Sequence, residues 1–238
     1  MDTTKTNRQI MDFLKSGEAA FPLSINERSL QVFGNEKFLA STECKKILNQ
    51  YGLSISLFNI YHTPEPFIYY LNRSASKDAL IVENKDTWYT MRKILMDTGS
   101  ICNMDFKALI YGEGRKIQSS FEYINADDTR DIHDIQSFYY FGDIDSSGID
   151  ILYKLQKQYP LHQIIPFEIG YHYLFRKKHS GRTKEMVVSI PISYEKVQVL
   201  DFLGEDAVNE IYTLCNHDYI IPQELLNYKI LYNWELFS

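Results

Sequence analysis

Asp143 and Asp145 stand two residues apart in Phe138-Tyr-Tyr-Phe-Gly-Asp-Ile-Asp-Ser-Ser-Gly148, directly behind a run of four aromatics. Two carboxylates at i and i+2 after a buried run can point into one polar crevice. There they repel each other, and a divalent cation is the simplest thing that relieves the repulsion. A third acid, Glu83, follows another short apolar run, Ala79-Leu-Ile-Val82. If both runs are strands of one parallel sheet, their ends share an edge and the three acids meet. Three carboxylates at one edge make a hard-cation site for magnesium or manganese. One or two such ions can activate water, hold a phosphate and stabilise a leaving oxygen.

The elements that must position these acids are legible as alternating strands and helices. Ala79–Val82 reads as a strand, and Asp86 or Thr87 can cap a helix through Met96 with Trp88, Met91, Ile94 and Leu95 on one side. Lys107–Tyr111 is a second strand, followed by Gly112-Glu-Gly114 and a helix over Arg115–Ile124. Phe138–Phe141 is a third, with a helix from about Ile149 to Gln158, stopped by Tyr159-Pro160. His162–Phe167 is a fourth. Short connections between such units imply right-handed crossovers and a parallel sheet covered on both faces. The expected fold class is therefore α/β, Rossmann-like, with residues 77–238 as the main domain and a helical tail. Helices are expected over Glu205–Cys215 and from Pro222, and a strand over Met186–Ile190. Residues 1–76 read as an α(+β) extension. It has an apolar stripe of Ile10, Met11, Phe13 and Leu14, helical segments broken at Gly34, a helix over Glu43–Gln50, and strands over Leu53–Ile60 and Pro66–Leu71.

Composition narrows the classes. Hydrophobic content of 45% and 18 Tyr in 238 residues suit a folded protein with a real core. No stretch approaches the ~20 apolar residues of a membrane span, and the N-terminus lacks the pattern of a secretory signal. Cys44, Cys102 and Cys215 are far apart and lack metal-ligand spacing, as reduced thiols of a cytoplasmic protein would. A net charge of −6 does not announce a nucleic-acid binder, although clustered acids contribute to that sum. Locally, Arg176, Lys177, Lys178, Arg182 and Lys184 put five cations into nine residues. That density suits either phosphate tracking on DNA or a solvated loop. His162 and His172 show no ligand pairing, and core or surface roles fit them better.

Two other readings of Asp143–Gly148 were weighed. An EF-hand-like loop needs a glutamate at its twelfth position, and that position is Lys154. A haloacid-dehalogenase-like phosphatase places its Asp-x-Asp after the first core strand, with a nucleophile and a general acid. Here two strand-helix units come first.

Ile81-Val-Glu-Asn84, Tyr111-Gly-Glu-Gly114 and Tyr140-Phe-Gly-Asp-Ile-Asp-Ser-Ser-Gly148 resemble the Toprim domain in the C-terminal half of the JetD family, nuclease subunits of Wadjet plasmid-defence systems. Glu27–Leu39 is similar to the segment before that domain, and Ile221-Pro-Gln-Glu224 to its tail. The resemblance implies a metal-dependent endonuclease for double-stranded DNA, using Mg2+ or Mn2+. Glu83, Asp143 and Asp145 would be catalytic metal ligands, with Glu224 as a further ligand. It also implies SMC-like Wadjet subunits as partners. A homodimer would serve a cut on both strands. Family members usually carry a longer N-terminal region, so this chain reads as a short variant, a split protein, or one acting outside the usual machine. A non-catalytic subunit that holds DNA or a partner is the alternative.

Overall fold

The computed structural model describes residues 3–183 and 191–236. The chain divides into two compact units, Met1–Pro64 and Glu65–Ser238. The expected strand over Met186–Ile190 and the side chain of Lys184 lie outside the described residues.

In the first unit α1 (Thr3–Ser16) buries Ile10 and Phe13, while Met11 and Leu14 are exposed. The stripe is thus narrower than the sequence suggested. A two-residue β1 (Leu23–Ser24) leads into α2 (Ile25–Phe33). Ser24 and Glu27 form a reciprocal capping box there: the Glu27 N–H donates to Ser24 Oγ (3.3 Å), and the Ser24 N–H donates to Glu27 Oε2 (2.9 Å). Gly34 ends α2 at φ 68°, donating its N–H to Leu30 O. The Ser41 hydroxyl caps α3 (Thr42–Gln50). The strand expected over Leu53–Ile60 is a 3-10 turn over Ile55–Phe58, followed by β2 (Ile60–Tyr61), which pairs in parallel with β1. The Ser54 hydroxyl accepts the Ser56 N–H and starts that turn. Phe13, Phe33, Phe38, Leu39, Leu48 and Phe58 form the core of this unit.

Arg28 is 1% exposed, with its guanidinium 5.0 Å from the Phe13 ring centroid. It donates to the carbonyls of Glu18 and Phe21 and to Gln31 Oε1. Nearby, Ser29 Oγ donates to Asn35 O and accepts the Leu39 N–H.

The second unit is built on a five-stranded sheet in the order β3-β5-β4-β6-β7. The strands are β3 (Tyr69–Leu71), β4 (Asp78–Val82), β5 (Ala108–Tyr111), β6 (Ser137–Phe141) and β7 (Gln163–Pro166). The last four run parallel, and β3 closes one edge antiparallel to β5. Ala79 to Val82 are wholly buried, which is why β4 reads as a continuous apolar run. Helix α4 (Lys85–Thr98) buries Thr87, Trp88, Met91, Ile94 and Leu95 against the sheet and ends at Gly99. Its N-cap position is Asn84, whose side chain makes no capping bond. The helix expected over Arg115–Ile124 is one α-helical turn, α5 (Ile117–Ser120), between two 3-10 turns. Ser119 turns its hydroxyl back to the Lys116 carbonyl (3.0 Å), the kind of local bond that competes with helix propagation.

Helix α6 (Ser146–Gln158) starts earlier than the apolar pattern indicated, because Asp145 supplies the cap. Then follow α7 (Glu168–Arg176), β8 (Arg182–Thr183), α8 (Tyr194–Val197), α9 (Glu205–Asn216), β9 (Tyr219–Ile220) and α10 (Tyr228–Tyr232). Cys44, Cys102 and Cys215 are buried and form no disulfide. Burial raises the Cys44 thiol to about 11 and the Cys102 thiol to about 12. Among the described residues no helix is long and apolar enough to cross a membrane.

Replacing Arg28 removes the donor to the Glu18 and Phe21 carbonyls and opens a gap beside Phe13. Arg28→Ala is expected to lower the stability of the first unit by about 3 kcal/mol. A shift of the urea midpoint in circular dichroism reads this out, and an unchanged midpoint contradicts it.

Candidate functional site

The order β5-β4-β6-β7 places a reversal of winding between β4 and β6. In open α/β sheets the crevice at the carboxyl ends of the strands flanking such a reversal is the usual ligand position. Glu83 follows β4, and Asp143 and Asp145 follow β6, so all three acids stand at that crevice. The Glu83 N–H donates to Phe141 O (3.0 Å), extending the ladder to the acid itself.

Each acid is held differently. Tyr140, wholly buried on β6, donates its hydroxyl to Glu83 Oε2 (2.9 Å). Asp143 Oδ1 accepts the Gln223 backbone N–H (2.8 Å) and the Asn84 amide (3.3 Å). Asp145, 5% exposed, accepts the N–H groups of Ser147 and Gly148 through Oδ1, at 2.9 and 2.7 Å. Those donors are the first turn of α6, whose dipole favours a carboxylate there. Between the two aspartates, Ile144 is buried and bridges Ile221 by two backbone hydrogen bonds, 3.0 and 3.1 Å. That bridge carries the chain after β9 across the sheet edge, bringing Gln223 and Glu224 to the acids. Asn84 links them further, donating to Glu224 Oε1 (3.0 Å) as well as to Asp143.

Space at the crevice is tight. A Cβ on Gly142 would collide with Glu83 Oε2 and crowd the Tyr140 hydroxyl. A Cβ on Gly148 would meet the Asp143 carbonyl at 2.5 Å and Glu83 Oε2 at 3.1 Å. Glycine at both positions is what lets the backbone of β6 and α6 close on the β4 carboxyl. Gly142 itself donates its N–H to the hydroxyl of Tyr171 (3.1 Å), a wholly buried side chain on α7.

Burial and mutual repulsion dominate the electrostatics of Glu83 and Asp143. Burial, then the charge of Asp143, pushes Glu83 up to about 8 against the lowering effect of the Tyr140 hydroxyl. Burial also raises Asp143 to about 6, despite the Gln223 N–H, with Glu224 and Asp145 adding repulsion. The tyrosines beside them rise well above the usual phenol value, chiefly through burial. The donor set is hard oxygen throughout, and its chemistry fits a divalent cation. Its arrangement is not yet that of a closed site: among the described residues no three His, Cys, Asp or Glu side chains stand in an ion-ligating cluster.

The remaining sequence candidates separate. Glu224 reaches the acids through Asn84, whereas Glu113 pairs with Lys116 (2.8 Å). In the basic stretch Lys178 is bound to Glu210 (2.5 Å), and Arg176 and Lys177 end α7. Arg182 is the register partner of Ile220, one residue before the Ile221 bridge to Ile144. His162 packs edge-on against Phe121 and Phe138, a core role. Tyr140, Tyr171 and Gln223 were not found by sequence reasoning; an aromatic run reads as core, and nothing local marks which hydroxyl turns toward an acid.

Residues 62–168 match the family model described as Wadjet protein JetD, C-terminal. This segment belongs to the JetD C-terminal family. The match covers the Glu83, Asp143 and Asp145 positions and stops before Glu224. It marks the segment as that of a Wadjet system component. No curated protein matches the chain.

Glu83 carries a folded-state value of about 8 against 4.5 for a free glutamate. Its stabilising contribution is therefore complete below about pH 4.5 and is lost as the pH rises toward 8. In a chelator-containing buffer, stability is expected to fall across that window by roughly 5 kcal/mol. Glu83→Gln should flatten the profile. Thermal melts at several pH values decide the matter, and an equally steep profile in the variant refutes it.

Proposed function

We propose that this chain is a Toprim-type, divalent-metal-dependent endonuclease acting on double-stranded DNA as the nuclease subunit of a Wadjet-like defence system. The observation that carries the reading is the meeting of Glu83, Asp143 and Asp145 at the winding reversal of the sheet, where burial and mutual repulsion push Glu83 and Asp143 above the usual carboxylate range. The family match supports the same reading independently.

Glu83, Asp143 and Asp145, with Glu224, would hold Mg2+ or Mn2+, one or two ions. Such an ion supplies a nucleophilic water at neutral pH and offsets the charge that builds on the phosphate. The chain's own residues do the positioning. Tyr140 fixes Glu83 by its hydroxyl, while the Gln223 N–H fixes Asp143 by one oxygen. The α6 N-terminus orients Asp145, and the glycines at 142 and 148 leave the reacting face open. The Asn84 amide couples the β4 end to Glu224 on the tail. Cytoplasmic action beside SMC-like partners, with two copies cutting opposite strands, belongs to the same proposal, as does phosphate contact by the Arg176–Lys184 stretch.

A second reading has its own observation. Among the described residues the acids do not stand in a ligating cluster, as suits a subunit that holds DNA or a partner without cutting.

Supercoiled plasmid incubated with the protein and Mg2+ or Mn2+ distinguishes the two. The nuclease gives nicked or linear product that disappears with chelator and in Asp143→Ala and Asp145→Ala. Equal plasmid integrity in all samples, with the Wadjet partner subunits also present, removes the nuclease claim. Gly142→Ala keeps every acid but displaces Glu83, and its cleavage rate is expected to fall at least ~100-fold, the scale of a misplaced catalytic group. A separate readout is the melting temperature at pH 8, which Mg2+ should raise in the wild type and not in Glu83→Gln.

A further inference from the structure

A second cluster, rich in cations, lies along α6. Asp150, only 6% exposed, is surrounded by three cations from three separate segments. Lys196 Nζ on α8 lies 2.6 Å from its Oδ1, Lys154 Nζ on α6 lies 2.7 Å from Oδ2, and Arg115 Nη1, after the β5 turn, lies 3.6 Å from Oδ2. These side chains, with Ser146 and Ile192, line a cavity of about 100 Å3. That is space for roughly three waters, the scale of a tetrahedral oxyanion.

Among the described residues the charges do not balance. One carboxylate faces three cations, leaving a net +2 held within contact distance. Burial works against ionisation of Asp150, and the hydrogen bonds of Lys154 and Lys196 overcome it, so the carboxyl lies below its usual value and stays charged. A structural ion pair between α6 and α8 needs one lysine. The second lysine and Arg115 repel it and each other unless another anion enters. The Arg115 guanidinium is too distant for a tight bond to Asp150, so its planar fork is available for a phosphate. Glu195, the other acid on α8, is engaged by the Tyr153 hydroxyl (2.7 Å).

Position adds to chemistry. Ser146, Asp150 and Lys154 repeat every four residues on one face of α6, starting at the residue after Asp145. The helical rise puts Asp150 about 7.5 Å along the axis from Asp145. Arg115 follows β5, at the same carboxyl edge of the sheet as Glu83 and Asp143.

We propose that Arg115, Lys154 and Lys196, organised by Asp150, form a phosphate subsite that seats a DNA backbone phosphodiester beside the carboxylate cluster. The subsite rests on the nuclease reading for its substrate class, yet it is measurable without any cutting. Binding of a labelled DNA duplex is followed by fluorescence anisotropy in chelator at several salt concentrations. Arg115→Gln/Lys154→Gln removes two largely exposed cations and leaves Lys196 to neutralise Asp150, so the fold should persist, which circular dichroism checks. Lys45→Gln/Lys46→Gln removes the same charge from the surface of the first unit.

The pocket variant is expected to bind at least 5-fold more weakly near 0.1 M salt, with a log–log salt slope shallower by about 0.9 for the lost phosphate contact. The control variant should match the wild type. Three results overturn the subsite: unchanged affinity and slope in the pocket variant, an equal loss in the control, or no duplex binding by the wild type. A parallel titration with inorganic phosphate separates the sources. Phosphate binding that is lost in the pocket variant while duplex binding stays unchanged assigns the cavity to free phosphate and overturns the DNA assignment. Loss of duplex binding in a protein that never cuts plasmid leaves the subsite standing and removes only the nuclease reading.

Discussion

Burying carboxylates close to one another is the constraint to which the second unit answers. Isolated charge is expensive away from water, and a buried acid either takes up a proton or finds compensation. Glu83 sits against a tyrosine hydroxyl, with Asp143 nearby at the end of the next strand, and its carboxyl is pushed up to about 8. Such a cluster survives only on a scaffold stable enough to hold it. The solvent-free β4, paired on both sides by parallel strands, is that scaffold. The glycines at 142 and 148 then allow an approach that any side chain would prevent.

The tail is the other half of the arrangement. The Ile144–Ile221 bridge fixes the residue between the two aspartates and delivers Gln223 to Asp143 by a backbone N–H. The Gln223 side chain is wholly buried beside Asp143, and both its backbone and its side chain work against the rise of that carboxyl.

Much of this was readable in the chain. Continuous apolar runs bounded by glycine and acids gave the strands at Ala79, Lys107 and Phe138, because a strand covered on both faces has no polar alternation to hide it. The acids at the strand ends followed directly. What failed has local causes. Leu53-Ser-Ile-Ser-Leu57 alternates as a strand should, yet the Ser54 hydroxyl captures the Ser56 N–H and turns the chain. The start of α6 was set too late because Asp145 was read as a ligand and not also as a cap. Tyr140, Tyr171 and Gln223 depend on contacts between residues far apart in sequence, which no window of residues contains. Cation density drew attention to Arg176–Lys184, whereas the cations that converge on one point, Arg115, Lys154 and Lys196, come one from each of three segments.

That convergence changes how the acidic turn is understood. A cluster of acids and a cluster rich in cations are carried by the same helix, one at its N-cap and one a turn and a half further on. Each alone is a liability, since like charges held together raise the energy of the folded state. Together they form a dipolar arrangement matched to a metal cation and a phosphate bound side by side. Lys154, which rules out a calcium loop because it stands where the bidentate glutamate belongs, pairs with Asp150 in the second of these clusters. The four-residue spacing of Ser146, Asp150 and Lys154 means that one rigid element sets the distance between the two charge centres. A loop could not hold that distance against the repulsion inside each cluster, and a helix anchored by Ile149, Ile151, Leu152 and Leu155 in the core can.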